Sequence, residues 1–348
     1  MMIKQTLLET SARKFMPKLF AGISDDQVRR VKEYIKLYTQ HPFEGTATGE
    51  GTATGAVLDD AASSQGKMIR PRLVLMAGSF GTDRDDVRER LYKLAAVVEM
   101  THLASLIHDD IVDDAPFRRG KPSVQSKYGK NAAVYAGDFL MSRITFYLMR
   151  EGLNRSGIII SQAVEEMCAG EIGQAMCRYK EDVTLDEYLQ NIHGKTVALF
   201  RACCRIGAME SGCDERVSRM LESFGECLGY MFQMRDDLLD FVPDSSMIGK
   251  KAHQDFREGI YTLPVLLARE QPGGRRLLHP YMERSAEGTL THADICRMEE
   301  IVAALGGLEG AWNQIHSYQK RAEDILEALP SSDISLQLGK IVRKLGAV

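Results

Sequence analysis

Two short segments of the chain repeat one acidic pattern. Asp109-Asp110-Ile111-Val112-Asp113 and Asp236-Asp237-Leu238-Leu239-Asp240 both read Asp-Asp-apolar-apolar-Asp, 127 positions apart. On a helix, residues four apart share a face, which stacks Asp109 over Asp113 and Asp236 over Asp240. The spacers Ile111, Val112, Leu238 and Leu239 are expected to face the core and hold the carboxylates at its edge. If the two clusters face each other, each close pair adds repulsion of about 4 kcal/mol at an effective dielectric of about 20. Hard divalent cations offset such repulsion, and carboxylate oxygens with room for water and phosphate suit Mg2+. One segment alone reads as a solvated acidic helix end. Two together read as a metal site drawn from Asp109, Asp110, Asp113, Asp236, Asp237 and Asp240.

Cations accompany both clusters. Lys67 and Arg70 lie upstream in GKMIRP, Arg118-Arg119-Gly120-Lys121 follows the first cluster, Lys195-Thr196 lies between the two, and Lys250-Lys251 follows the second. Arginine forks and lysine point charges beside a divalent cation are built for phosphate oxygens. Pro71 reads as the first residue of a helix, leaving Arg70 at an anion-binding N-terminus. Gly194-Lys195-Thr196 resembles the end of a P-loop, but Leu189 stands where the earlier glycine is required. His102 and His108 are six apart and do not share a helical face, so a histidine metal site is not expected.

The elements that must position these residues are helices. No proline occurs between Pro122 and Pro243, and apolar residues there recur at three and four, as in Leu140, Ile144, Tyr147 and Leu148. ERLYKLAAVVEMTHLASLIH and ERVSRMLESFGECLGYMFQMRDDLLDF read as long helices whose broad apolar faces other helices must bury. The expected fold is all-α, a helical bundle forming one domain over residues 1–348. A glycine- and threonine-rich segment at 43–57, with TATG twice, is expected to be a flexible loop. EQPGGRR around Pro272 separates a motif-bearing core of about 60–270 from a helical tail over 275–348.

Composition removes several function classes. Of 348 residues, 44% are hydrophobic and 26% charged, which excludes intrinsic disorder and collagen-like repeats. Lys+Arg 44 against Asp+Glu 48 leaves no basic footprint for nucleic acid. No apolar run approaches the roughly 18 residues of a transmembrane segment. Seven cysteines without a CxxC pair suggest a reducing, cytoplasmic compartment. The first twenty residues, with Lys4, Arg13, Lys14 and Lys18, read as an amphipathic helix packed on the body, with a transit peptide or membrane-surface helix as the alternative.

Taken together, GKMIRP, EMTHLASLIHDDIVDDAPFRRGKPS, YAGDFLMSR, GEIGQ, HGKTVALF, FQMRDDLLDF and GKKAHQDFREGIYTLPVLLA make the chain resemble the trans-isoprenyl diphosphate synthases, or polyprenyl synthetases. The resemblance implies a helical bundle around a deep central cavity, a homodimer or a pairing with a second kind of subunit, and Mg2+ as cofactor. It implies catalytic roles for Asp109, Asp113, Asp236 and Lys195. Arg118, Lys195, Thr196, Gln233 and Lys250 would contact an allylic prenyl diphosphate. Lys67, Arg70, His102 and Arg119 would hold isopentenyl diphosphate.

The implied chemistry follows from charge. Cations stabilise departing pyrophosphate, an allylic carbocation forms in a water-poor cavity, and the double bond of isopentenyl diphosphate attacks it. Ile260 stands where many members carry lysine, which removes one phosphate contact. Ala104 and Ser105, one turn before Asp109, occupy positions that limit product growth in this family. Their small size implies a product longer than geranylgeranyl diphosphate, released near a bilayer, unless a deeper floor stands at Phe139, Phe146 or Tyr147. A terpene cyclase would not need the second diphosphate pocket. A non-catalytic partner subunit could dispense with aspartates that this chain keeps.

Overall fold

The computed structural model describes residues 22–40, 51–63, 66–241 and 253–347. The basic first twenty residues, most of the expected 43–57 loop, and Lys250 with Lys251 lie outside the described residues. Apart from one short hairpin, the described chain is helical. In order come α1 (Asp25–Gln40), α2 (Ala53–Ser63), α3 (Ile69–Gly78), α4 (Asp85–Val112), strands β1 (Phe117–Arg118) and β2 (Lys121–Pro122), α5 (Val124–Tyr128), α6 (Lys130–Arg150) and α7 (Asn154–Met176). After these come α8 (Leu185–Ile192), a π-helix (His193–Val197), α9 (Ala198–Glu210), α10 (Glu215–Asp240), α11 (Gln254–Arg257), α12 (Leu263–Arg269), α13 (Gly274–Ala286), α14 (His292–Ala304), α15 (Gly307–Ala328) and α16 (Asp333–Leu345). None of the described helices is long and apolar enough to cross a membrane.

The chain divides into two compact units. The first holds Phe20–Val164 with Ala202–Glu222, and the second holds Glu165–Arg201 with Ser223–Val348, so the boundaries fall inside α7, α9 and α10. In the first unit the 28-residue α4 is the central element. Leu94, Val98, Met100 and Ala104 along it are buried, and it packs on α1, α3 and α6. Facing it are Val31 and Ile35 of α1, Leu73 and Met76 of α3, and Leu140 and Ile144 of α6, all buried. Helices apolar on so many sides are stable only when neighbours surround them.

In the second unit the C-terminal part of α10 is buried through Leu228, Met231, Met234 and Leu238. α12 packs on α15, and α15 on α16. Arg235 of α10, only 4% exposed, donates through Nη1 to the carbonyls of Leu345 at 2.7 Å and Ala347 at 2.8 Å. The tail beyond Pro272 is helical, as its periodicity predicts.

Two expectations are corrected. The segment 43–57 is not loop throughout, because Ala53–Val57 opens α2. Thr52 caps it by accepting from the Gly55 N–H at 3.1 Å, which offsets part of the helical cost of glycine. Pro71 is not the first residue of its helix. α3 starts at Ile69 behind Met68, whose φ is +54°, and proline is accommodated in the first turn, where backbone N–H groups lack helical partners.

Candidate active site

The first unit carries the first acidic cluster at the C-terminal end of α4. At about 100° per residue, Asp113 stands about 40° from Asp109, Asp110 about 100° away, and Val112 about 60° away on the other side. The structure follows this wheel. Asp109 is half-buried and Asp113 exposed, whereas Asp110 is 3% exposed and Val112 is 78% exposed. The expectation that Val112 faces the core is therefore overturned, since it lies nearly on the side of the outer aspartates. Asp110 instead lines up with buried Leu103 and Ile107.

A buried carboxylate needs a partner. Arg118 provides it from β1, donating through Nε to Asp110 Oδ1 at 2.7 Å and Oδ2 at 2.8 Å, with Nη2 2.6 Å from Oδ1. Asp110, expected among the metal ligands, and Arg118, expected on the allylic diphosphate, thus hold each other.

The hairpin after Arg118 is where the sequence places Arg119. Phe117 pairs with Pro122 and Arg118 with Lys121, leaving Arg119 and Gly120 at the turn with φ of +54° and +80°. Positive φ at both central residues is what a two-residue hairpin of type I′ requires. The turn sends Arg119 back toward the GKMIRP segment, where a Cβ on Gly66 would collide with its guanidinium. Lys67 and Arg70, next along, are half-buried.

His102 and Glu99 complete this cationic corner. Burial, with the charges of Arg70, Arg119 and Arg118, lowers His102 well below 6.5, so its ring is neutral at pH 7. Glu99, 8% exposed, has its carboxyl raised by burial, and Arg70 and Arg119 oppose that rise. Glu99 was not among the expected site residues, although a charge three residues before His102 in an apolar run is a visible signal. Ser105 is half-buried and donates to the His102 carbonyl at 2.9 Å, while Ala104 is 1% exposed. Of the candidate deeper floors, Phe139 is half-buried, Phe146 is 36% exposed and Tyr147 is 3% exposed, stacked on Tyr38.

The second unit carries the other half of the predicted set. Lys195 and Thr196 sit in the π-helix, a widened turn that recurs at functional sites. Glycines let α7 approach it. A Cβ on Gly170 would stand 2.6 Å from the Lys195 nitrogen, and one on Gly194 would collide with the Glu166 carbonyl. Lys195 Nζ lies 3.2 Å from Glu171 Oε2, a partner within GEIGQ that was not foreseen.

On α10 the wheel repeats. Asp236 is exposed and Asp240 half-buried, Asp237 is 4% exposed, Leu238 is fully buried, and Leu239 is half-buried. Asp237 accepts from Tyr188 Oη at 2.6 Å and from Gln233 Nε2 at 2.9 Å, and Gln233 Oε1 accepts from Thr196 Oγ1 at 2.6 Å. Burial raises Asp237 to about 7, against the two donors that lower it. Asp237, like Asp110, is engaged inside the protein, and Tyr188 was missed by the sequence analysis.

Among the described residues, no group of three or more His, Cys, Asp or Glu side chains could hold a metal ion. What each helix offers is a pair of carboxylates one turn apart, Asp109 with Asp113 and Asp236 with Asp240. Such pairs suit Mg2+, which keeps waters and takes substrate phosphate oxygens alongside one or two carboxylates.

The chain is similar in sequence and in fold to known proteins. Residues 53–296 match the polyprenyl synthetase family. Heptaprenyl diphosphate synthase component 2 of Geobacillus stearothermophilus is 34% identical over 285 residues, which cover 79% of this chain and 86% of that protein. Solanesyl-diphosphate synthase 2, chloroplastic, of Oryza sativa subsp. japonica is 32% identical, covering 80% of this chain and 68% of the relative. A polyprenyl synthase from Caulobacter crescentus CB15, crystallised with calcium and isoprenyl diphosphate, superposes with a TM-score of 0.83 at 30% identity, covering 95% of this chain and 97% of that one.

Proposed function

As a member of the polyprenyl synthetase family the chain is a prenyltransferase, and we propose that it condenses isopentenyl diphosphate head-to-tail with an allylic prenyl diphosphate, giving a trans product longer than geranylgeranyl diphosphate. One observation carries this reading. In both acidic segments the middle aspartate is buried, while the outer pair shares the more accessible side of its helix. Each unit carries one such pair.

Asp109 with Asp113, and Asp236 with Asp240, would hold Mg2+, which supplies positive charge against the oxygens of departing pyrophosphate. Lys195 places a further positive charge near the same substrate, with Thr196 and Gln233 beside it, and Lys250 is assigned there from its motif. Lys67, Arg70 and Arg119 take the diphosphate of isopentenyl diphosphate. His102, neutral at pH 7, donates one N–H to it without adding charge. The isopentenyl double bond attacks the allylic cation left by the departing pyrophosphate, and loss of a proton to that pyrophosphate restores an alkene.

A homodimer is the proposed assembly. Tyr135, Phe146 and Met149 form an exposed apolar stripe on α6 that a second copy would cover. The relative named component 2 of a heptaprenyl diphosphate synthase favours a second reading, a catalytic subunit that works with a different partner.

Product analysis of the purified chain with Mg2+, labelled isopentenyl diphosphate and farnesyl diphosphate, beside an Asp109→Ala control, tests both. A ladder extending past geranylgeranyl and absent from the control is expected. A ladder ending at geranylgeranyl overturns the length. A folded chain that extends nothing alone leaves the two-component reading.

A further inference from the structure

The hydrogen bonds around Asp237 have a direction, and that direction reaches residues assigned above to the allylic diphosphate. Tyr188 on α8 is 5% exposed, and its hydroxyl donates to Asp237 Oδ2 at 2.6 Å. With Oδ2 taken, Oδ1 is the oxygen turned to Gln233, whose amide nitrogen donates to it at 2.9 Å. The amide oxygen is then turned to Thr196, which donates to it at 2.6 Å. One amide N–H of Gln233 remains for an anionic ligand, and Thr196 is held in one rotamer.

We propose that Tyr188 is a positioning residue for prenyl transfer, fixing the amide of Gln233 and the hydroxyl of Thr196 through Asp237 without touching substrate itself. This role rests on the proposed function, and it predicts coupling that a merely structural tyrosine would not show. Removing the phenolic oxygen frees the carboxylate to rotate and the amide to turn over. A hydrogen bond to a charged group carries about a tenfold effect or more in rate. Isopentenyl diphosphate is assigned to Lys67, Arg70, His102 and Arg119, none of which belongs to this chain of bonds.

A double-mutant cycle in the full-length protein tests the role, with Tyr188→Phe, Gln233→Ala and the pair assayed under saturating allylic diphosphate. Tyr188→Phe is expected to lower kcat about tenfold, leave the KM for isopentenyl diphosphate unchanged, and have no further effect once Gln233 is alanine. A Tyr188→Phe enzyme with wild-type kcat overturns the role, as does a loss that multiplies in the double variant. If Tyr188→Phe does not fold, Asp237→Asn, which leaves no buried charge without its donor, replaces it in the same cycle. An active wild type with additive losses overturns this role alone, whereas an inactive wild type overturns the proposed function beneath it.

Discussion

Arg118 grips Asp110 through Nε and Nη2 at 2.6–2.8 Å, and this ties the middle of the first acidic cluster to the hairpin that presents Arg119. The two aspartates of a consecutive pair thus have opposite duties, one turned outward and one locked in. Alanine at Asp110 leaves Arg118 without its buried partner and is expected to lower unfolding stability by about 3 kcal/mol. Alanine at Asp109 relieves repulsion with Asp113. It is expected to cost less stability than alanine at Asp110 while lowering kcat at least about a hundredfold. Denaturant unfolding and steady-state kinetics on both variants check this, and equal stability losses would contradict the division of labour.

The apolar spacers divide in the same way. Val112, 78% exposed, is expected to tolerate serine within about 0.5 kcal/mol. Leu238, fully buried, is expected to lose about 2–5 kcal/mol on truncation to alanine. Urea midpoints of the two variants would differ accordingly, although both residues are spacers in the same five-residue pattern.

How much of this was legible depends on the range of the cause. α4 and α10 were readable because their own apolar repeats fix them, and the face shared by Asp109 and Asp113 follows from helical pitch alone. The same pitch places Val112 outside and Asp110 inside, a division that the shared Asp-Asp-apolar-apolar-Asp pattern masks. The turn at Arg119 was not readable, because positive φ at an arginine is imposed by its surroundings. The π-helix was hidden likewise, since it depends on Gly170 meeting Gly194, and the Tyr188–Asp237 bond links residues 49 apart.

The contact of α7 with the π-helix gives a prediction about Lys195. A methyl group at Gly194 meets backbone, the Glu166 carbonyl and Gly170, so one of the two segments must move. Gly194→Ala is expected to lower kcat about a hundredfold through displacement of Lys195. Gly157→Ala is the control, because its new Cβ meets only Leu148, at 3.8 Å. Comparable kinetics for the two would show that the close approach does not matter for Lys195.

His102 gives stability a pH dependence whose sign is fixed. Its folded pKa lies well below 6.5, so under acid the unfolded chain binds a proton that the folded chain refuses. The contribution is absent above pH 6.5, and stability falls as pH drops below it. His102→Asn should lack this component. Unfolding midpoints at pH 7.5 and 5.5 would then show a smaller acid loss in the variant, and an identical loss would remove His102 as its source.

Product length separates the two residues before the first cluster. Ser105 stands about 40° from Asp109 on the helical wheel and is half-buried, so a larger side chain there enters the space beneath the acidic pair. Ala104 lies about 140° from Asp109 and is 1% exposed, within the packing of the first unit. Phenylalanine at 105 is therefore expected to shorten the product ladder with stability nearly unchanged. Phenylalanine at 104 is expected to overpack the core and lower stability by about 1–3 kcal/mol. Chromatography of the products beside thermal unfolding of both variants decides this. A shortened ladder in a fully stable Ala104→Phe enzyme would place the growing chain on the other side of α4.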